Sequence, residues 1–212
     1  MTDEVEVLVC DDGSSDTTGA ILDALARDEP RLRVLHRAAN RGIEASIRTL
    51  YEAAQHPWVF LNSADLQWPM QALLPLAAAA AAGADLVIGV RPRKHEVYTR
   101  YRRALSRGYT LAVHLLGGAG AADPGSIKLG RRELLHRAVV AHGVFAEAER
   151  IVRATREGAR IVEVDVGFRR RRAGRARGAA PALVVGAVLD VARVACSLAA
   201  GWPSPAVPTR DV

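Results

Sequence analysis

Cysteine is nearly absent: the 212 residues hold only Cys10 and Cys196, far apart in the chain. That excludes a disulfide framework and a cysteine zinc site. It fits two reduced, mostly buried thiols in a cytoplasmic, reducing setting. Aromatic side chains are scarce at 5%, so packing must rest on aliphatic side chains. No basic-then-apolar leader opens the chain, which begins Met1-Thr2-Asp3-Glu4. A long uncharged run is lacking too. The most apolar stretch, 182–200, contains Asp190 and Arg193, which favours a core or interfacial helix over a spanning one. The six histidines are scattered with no HExxH pair, which removes that zinc motif. No internal repeat or linker interrupts the chain.

What is present is globular in composition: 50% apolar and 25% charged residues. A chain of this length can bury one real core. The net charge is +6. Such a surface attracts nucleic acid, anionic lipid or small phosphorylated substrates, and charge alone does not choose among them.

Strand and helix patterns alternate along the chain. A β-branched run over 5–10 reads as a buried strand ending at Asp11-Asp12-Gly13. Ser14, Ser15 and Asp16 supply N-cap oxygens for a helix to about residue 27. Strands follow at 32–36, 58–61, 85–90 and 161–168. Helices are expected at 43–54, 70–82, 98–116, 131–141 and 146–157, with Gly83 as a left-handed cap. The alternation through Val90 implies an α/β sheet with parallel strands. Ligands of such sheets bind beyond the carboxyl ends of the strands, where Asp11, Asp12, Asp65 and Arg91 fall.

Six ordered segments carry a resemblance. Val9-Cys10-Asp11-Asp12-Gly13-Ser14-Ser15-Asp16 is similar to the VVDDGSxD motif of family 2 glycosyltransferases. His36-Arg37-Ala38-Ala39-Asn40-Arg41-Gly42 resembles the HRxxNxG turn, and Ala64-Asp65-Leu66-Gln67-Trp68-Pro69 the end of the DADLQxP metal loop. The segment 83–91 resembles the GADVVIGSR strand, Asp123-Pro124-Gly125-Ser126 the acceptor loop, and 161–164 the RIxEVP strand. The chain is thus identified as a member of that family, most similar to polyprenyl-phosphate sugar transferases.

The resemblance implies a GT-A fold, a Rossmann-like sandwich with a mostly parallel central sheet. It implies inverting transfer from a nucleotide-sugar donor to a lipid-phosphate or glycan acceptor, assisted by Mg²⁺ or Mn²⁺. Asp65 and Gln67 become the metal ligands, two residues apart so that an extended loop turns both one way. Asp11, Asp12, Ser14, Asn40, Arg41 and Arg91 fall to the donor. Arg100, Arg103, Ser126, Arg171 and Arg172 fall to the acceptor or its phosphate. Asp65 and Glu147 are the catalytic candidates, Glu147 serving as a base only if the acceptor is a sugar hydroxyl. Arg91 stands between surface ion pairing and phosphate contact. The run 168–177 reads as a solvated basic loop, a phosphate or anionic-lipid contact, or, with less support, a nucleic-acid contact. No nucleic acid is expected as partner.

Two departures from the family pattern stand out. Ser63 occupies the place of the first metal-loop aspartate. The strand and helix that open the family fold have no counterpart before residue 5, so a truncated start is expected. Residues 1–178 form the catalytic domain on this reading, 179–200 an apolar helix and 201–212 a tail. The enzyme would work in the cytoplasm, peripherally at the inner face of the plasma membrane. The alternative is a non-catalytic or fragmentary relative that binds nucleotide or lipid weakly.

Overall fold

The computed structural model describes residues 4–92, 99–118, 121–169 and 181–201. The chain divides into two compact units. Unit 1 comprises Met1–Val59 with Arg131–Arg137, and unit 2 comprises Phe60–Gly130 with Ala138–Val212.

In unit 1 the strand β1 (Val7–Asp11) is followed by α1 (Thr18–Asp28), β2 (Leu32–His36) and α2 (Ile43–Ala53). β1 and β2 are parallel, in register from Val7 opposite Leu32 to Asp11 opposite His36. Among the described residues β1 pairs with β2 alone. Glu6 fastens this unit: its carboxylate accepts the Gln55 N–H at 2.6 Å and pairs with Arg33 at 2.9 Å. Tyr51 of α2 is buried.

Unit 2 holds β4 (Leu86–Val90), which follows β3 (Trp58–Leu61) and α3 (Leu73–Ala81) in the chain. The larger sheet has the order β3-β5-β4-β6, where β5 is Lys128–Arg131 and β6 is Ile161–Asp165. β4 runs parallel to β6 and antiparallel to β5. Leu86, Val87 and Ile88 are fully buried, as a strand covered on both faces must be. Gly83 ends α3 with φ +94°, the left-handed cap expected from its place in the sequence. The remaining helices are α4 (Arg100–Leu115), α5 (Arg132–Leu135), α6 (Ala146–Arg156) and α7 (Pro181–Ala199).

Three sequence expectations are corrected. The helix expected over 131–141 is one turn, Arg132–Leu135, preceded by the unforeseen antiparallel strand β5. β5 carries a fully buried lysine and a glycine, so it shows no apolar alternation. The last strand ends at Asp165 rather than at Phe168. The segment from Met70 opens with a turn of 3₁₀-helix before α3.

A buried ionic knot braces α6. Glu149, with no exposed surface, accepts the N–H groups of Val140 and Ala141 at 2.9 and 2.8 Å and the Arg153 Nε at 2.7 Å. Arg153 in turn reaches Ser197 of α7 at 3.1 Å. Glu149→Ala leaves a buried guanidinium and two N–H groups without their acceptor. It should cost about 3–5 kcal/mol, read as the loss of unfolding free energy in urea. A loss below about 1 kcal/mol would contradict this role.

Candidate functional site

In unit 1, β1 delivers two carboxylates to its end, and both are tied to neighbouring turns. Asp11 Oδ1 accepts the Ser14 N–H at 3.0 Å, and Oδ2 lies 3.1 Å from His36 Nδ1. His36 Nε2 is 3.0 Å from Asp23 of α1. The Ser14 hydrogen bonds, then His36, hold the Asp11 carboxyl below the usual range. The bonds from Asp11 and Asp23 push the imidazole above its ordinary 6.5.

Asp12 closes on a second turn. It accepts the N–H groups of Arg41 at 3.0 Å and Gly42 at 2.8 Å, with Arg37 at 3.3 Å. Burial alone would raise its pKa, but these donors outweigh it and hold the carboxyl low. Gly13 makes the close approach possible. Its φ is +73°, and a Cβ there would lie 2.7 Å from the Ala39 and Asn40 backbone. Asp12, assigned to the donor from sequence, therefore spends its oxygens on the turn after β2, while Ser14, Asn40 and Arg41 are exposed around it.

The segment 62–69, in unit 2, follows β3. The expected extended loop is a turn. Asp65 Oδ1 accepts the Gln67 N–H at 3.1 Å, and Leu66 between them has φ +58°. A leucine in that region costs about 1–2 kcal/mol, the kind of strain that gathers at functional sites. Gln67 is anchored to the segment after β6: its carbonyl accepts the Arg169 N–H at 2.8 Å, and its amide nitrogen donates to the Arg169 carbonyl at 3.3 Å. Ser63 Oγ is 3.4 Å from the Asp65 N–H.

Beside this turn Trp68 and Phe168 meet edge to face at 4.9 Å, and the Arg91 guanidinium lies against both rings, 5.5 Å from the Trp68 centroid and 5.1 Å from that of Phe168. Its fork grips Asp123 with two 2.7 Å bonds. Of the two readings of Arg91, the structure displays the ion pair, and the pair is half-buried rather than superficial. The Asp123 carbonyl accepts the Ser126 N–H at 3.0 Å. Ser126 Oγ is buried with no hydrogen-bond partner among the described residues. Beneath this loop, fully buried Lys128 meets Glu147 at 2.7 Å, and Arg150 holds the other Glu147 oxygen at 2.8 Å. The base candidate is thus gripped by two cations.

Within unit 2 the structure links the Asp65–Gln67 turn to Arg91 through Trp68, and Arg91 to the Ser126 loop through Asp123, with Glu147 joined to that loop by Lys128; in unit 1 it gathers the loops of Asp11, Asp12, Ser14, Asn40 and Arg41. Arg100 and Arg103 stand on α4, where with Ala104 and Arg107 they line an open hollow of about 270 Å³. Arg171 and Arg172 lie outside the described residues. Among the described residues no cluster of three or more His, Cys, Asp or Glu side chains could hold a metal ion. Asp65 and Gln67 still fit a hard cation that takes most of its oxygens from phosphate and water. Sequence reasoning missed Asp123 and Lys128. A buried lysine in an unrecognised strand leaves no pattern to read, whereas Asp123 sits inside a motif whose partner was unknown.

The His36 bridge has a pH signature. A raised imidazole pKa adds stability that is full below pH 6.5 and is lost as pH rises through the folded value. The lowered Asp11 adds stability above 3.8 that is lost as pH falls through its folded value. The stability lost in His36→Gln should therefore be larger near pH 5.5 than near pH 8.5, read from urea midpoints of both proteins at each pH. An equal loss at both would exclude a charged bridge.

Comparison with known proteins agrees with this architecture. Residues 1–138 match glycosyl transferase family 2. The chain is 31% identical over 183 residues to a polyprenol monophosphomannose synthase of Mycolicibacterium smegmatis, covering 81% of this chain and 69% of that protein. It is 30% identical over 211 residues to an undecaprenyl-phosphate mannosyltransferase of Micrococcus luteus, covering 94% and 85%. Among solved structures, glucosyl-3-phosphoglycerate synthase of Mycobacterium tuberculosis with phosphoglyceric acid superposes with a TM-score of 0.68 at 19% identity, covering 94% of this chain and 70% of that one. The same enzyme with Mn²⁺, UDP-glucose and phosphoglyceric acid gives 0.66 at 20%, covering 93% and 69%. The α/β architecture with its mostly parallel strands is the GT-A fold. With a family match over well more than half its length, this chain belongs to glycosyl transferase family 2 and is a glycosyltransferase.

Proposed function

We propose that the protein moves a sugar, with inversion, from a nucleotide-diphospho-sugar to the phosphate of a polyprenyl phosphate at the cytoplasmic membrane face. The observation that carries this reading is the joining, in unit 2, of the Asp65–Gln67 turn to the loop bearing Ser126. The link runs through Trp68, Phe168 and the Arg91–Asp123 pair. Oxygen donors for a cation and an unsatisfied buried hydroxyl thereby share one scaffold. The names of the Mycolicibacterium and Micrococcus relatives support a polyprenyl-phosphate acceptor.

Asp65 and the Gln67 amide oxygen would hold Mg²⁺ or Mn²⁺. The cation, when bound, offsets the charge that develops on the departing diphosphate. The Mn²⁺ and UDP-glucose of the solved neighbour support this assignment. With Ser63 in place of a carboxylate, the site has one formal anion, so cation and diphosphate should bind together more readily than the cation alone.

A phosphate acceptor is already ionised near neutral pH, so no strong base is needed. Glu147, gripped by Lys128 and Arg150, then acts as a positioning residue under the acceptor loop. Ser126 Oγ would donate to the acceptor phosphate, with Arg100, Arg103, Arg171 and Arg172 drawing that anion in. Arg91 contributes by fixing Asp123, and through it the Ser126 turn. Asp11 and Asp12 shape the nucleoside loops that present Ser14, Asn40 and Arg41.

The test is transfer from UDP-, GDP- and dTDP-sugars to a short polyprenyl phosphate with Mn²⁺. EDTA or Asp65→Ala should lower turnover by about 100-fold or more. The substitution should also remove the rise in melting temperature produced by Mn²⁺ plus nucleoside diphosphate. Unchanged turnover and an unchanged shift would remove Asp65 from the metal role.

A further inference from the structure

α4 is a cationic helix that carries no anion of its own. Its sequence RYRRALSRGYTLAVHL sets arginines in the first turn, with no acidic residue there. A helix N-terminus is the positive pole of the helix dipole, so cations there are disfavoured. Arg100, Arg103 and Arg107 recur at three- and four-residue spacing and form one stripe, along which like charges repel. Among the described residues none of the three has an ion-pair partner. They line the open hollow of about 270 Å³. Three guanidinium groups on one helix face favour an anion with several acceptor oxygens.

Farther along this face, and beside it at Tyr101, the side chains are apolar and open to solvent. Tyr101 is 55% exposed, Leu111 57% and Leu115 78%. A soluble anion in the hollow would leave these side chains in water. A bilayer would take both parts of this face at once, headgroups on the arginines and acyl chains on the leucines. A second helix points the same way. α7 leaves Val185, Val188 and Leu189 at least half exposed. Its other face is pinned through buried Asp190, which accepts the N–H groups of His142 and Gly143 at 3.1 and 2.9 Å. α4 is anchored to the next residue, where the Tyr109 hydroxyl donates to the Val144 carbonyl at 2.9 Å. α7 is long and apolar enough to cross a membrane, but this anchoring holds it against unit 2.

We propose that the outer face of α4 docks on an anionic bilayer, with Arg100, Arg103 and Arg107 seating phosphate headgroups and Leu111 and Leu115 entering the acyl boundary. The docking extends the acceptor assignment, since it would bring the enzyme to a lipid-borne substrate. It does not depend on the chemistry of transfer.

Flotation of the full chain with vesicles tests it. Phosphatidylcholine vesicles containing phosphatidylglycerol should capture the protein, phosphatidylcholine alone should not, and added salt should weaken capture. Replacing all three arginines by glutamine should lower partitioning roughly 100-fold, and Arg107→Gln alone about fivefold. Loss of the mutual repulsion should leave the melting temperature of these variants equal or higher. Leu111→Ser with Leu115→Ser should weaken capture without changing its salt dependence. Wild-type capture by the triple variant would overturn the proposal and assign binding to the basic run at 168–177. Equal capture by neutral vesicles would overturn it too, as would displacement by millimolar inorganic phosphate, which would make the hollow a soluble-anion site. Flotation reads no turnover, so a chain that docks but transfers no sugar would sink only the transferase proposal.

Discussion

The Arg91–Asp123 pair, with its guanidinium set against the Trp68 and Phe168 rings, is the contact on which the arrangement of unit 2 depends. The two side chains are only 15% and 4% exposed, so each has given up most of its hydration. Such a pair persists only when geometry returns what desolvation costs. Here the return is a two-point fork at 2.7 Å and two aromatic faces for the cation. Four segments meet at it: the turn after β3, the end of β4, the loop before β5 and the segment after β6. Removing either partner strands a buried charge, a larger penalty than the pair's own net worth. Arginine rather than lysine suits the place because only a planar fork can stack and bind bidentately at once.

A different constraint governs unit 1. Asp11 and Asp12 look alike in sequence, and each is used up by a separate turn. Asp11 caps Ser14 and holds His36, whereas Asp12 closes the Arg41–Gly42 turn. Two adjacent carboxylates would repel if both faced one ligand. Pointing them at different N–H sets avoids that and fixes the spacing of the exposed residues Ser14, Asn40 and Arg41. Carboxylates at a strand end can build the loops that recognise a ligand before they touch one.

How much of this is legible in sequence depends on where the information resides. β1, β2, β3 and β4 announce themselves as short β-branched or apolar runs, and Gly83 marks the end of α3 because no other residue adopts φ +94° cheaply. The candidate residues of both units are readable through their motif order. β5 is not, because Lys128 is the wrong residue for a buried strand until Glu147 is known to neutralise it. The Leu66 turn is equally hidden. Its conformation is imposed by Asp65 and by the Gln67–Arg169 backbone pairing, a contact across 102 residues that no local propensity encodes.

The same distinction sorts the arginines. In unit 2, Arg91, Arg150, Arg153 and Arg193 each face a carboxylate at 2.6–2.8 Å, so their charge is spent inside the fold. Among the described residues, Arg100, Arg103 and Arg107 face none. A net charge of +6 says little about partners while it is spread over the chain. It becomes informative once the internally paired cations are set aside, because three of the others, Arg100, Arg103 and Arg107, share one face of α4. Folding is better served by pairing or dispersing those charges, so their place on one open face, followed by exposed leucines, suits an anionic surface outside the protein better than any contact among the described residues.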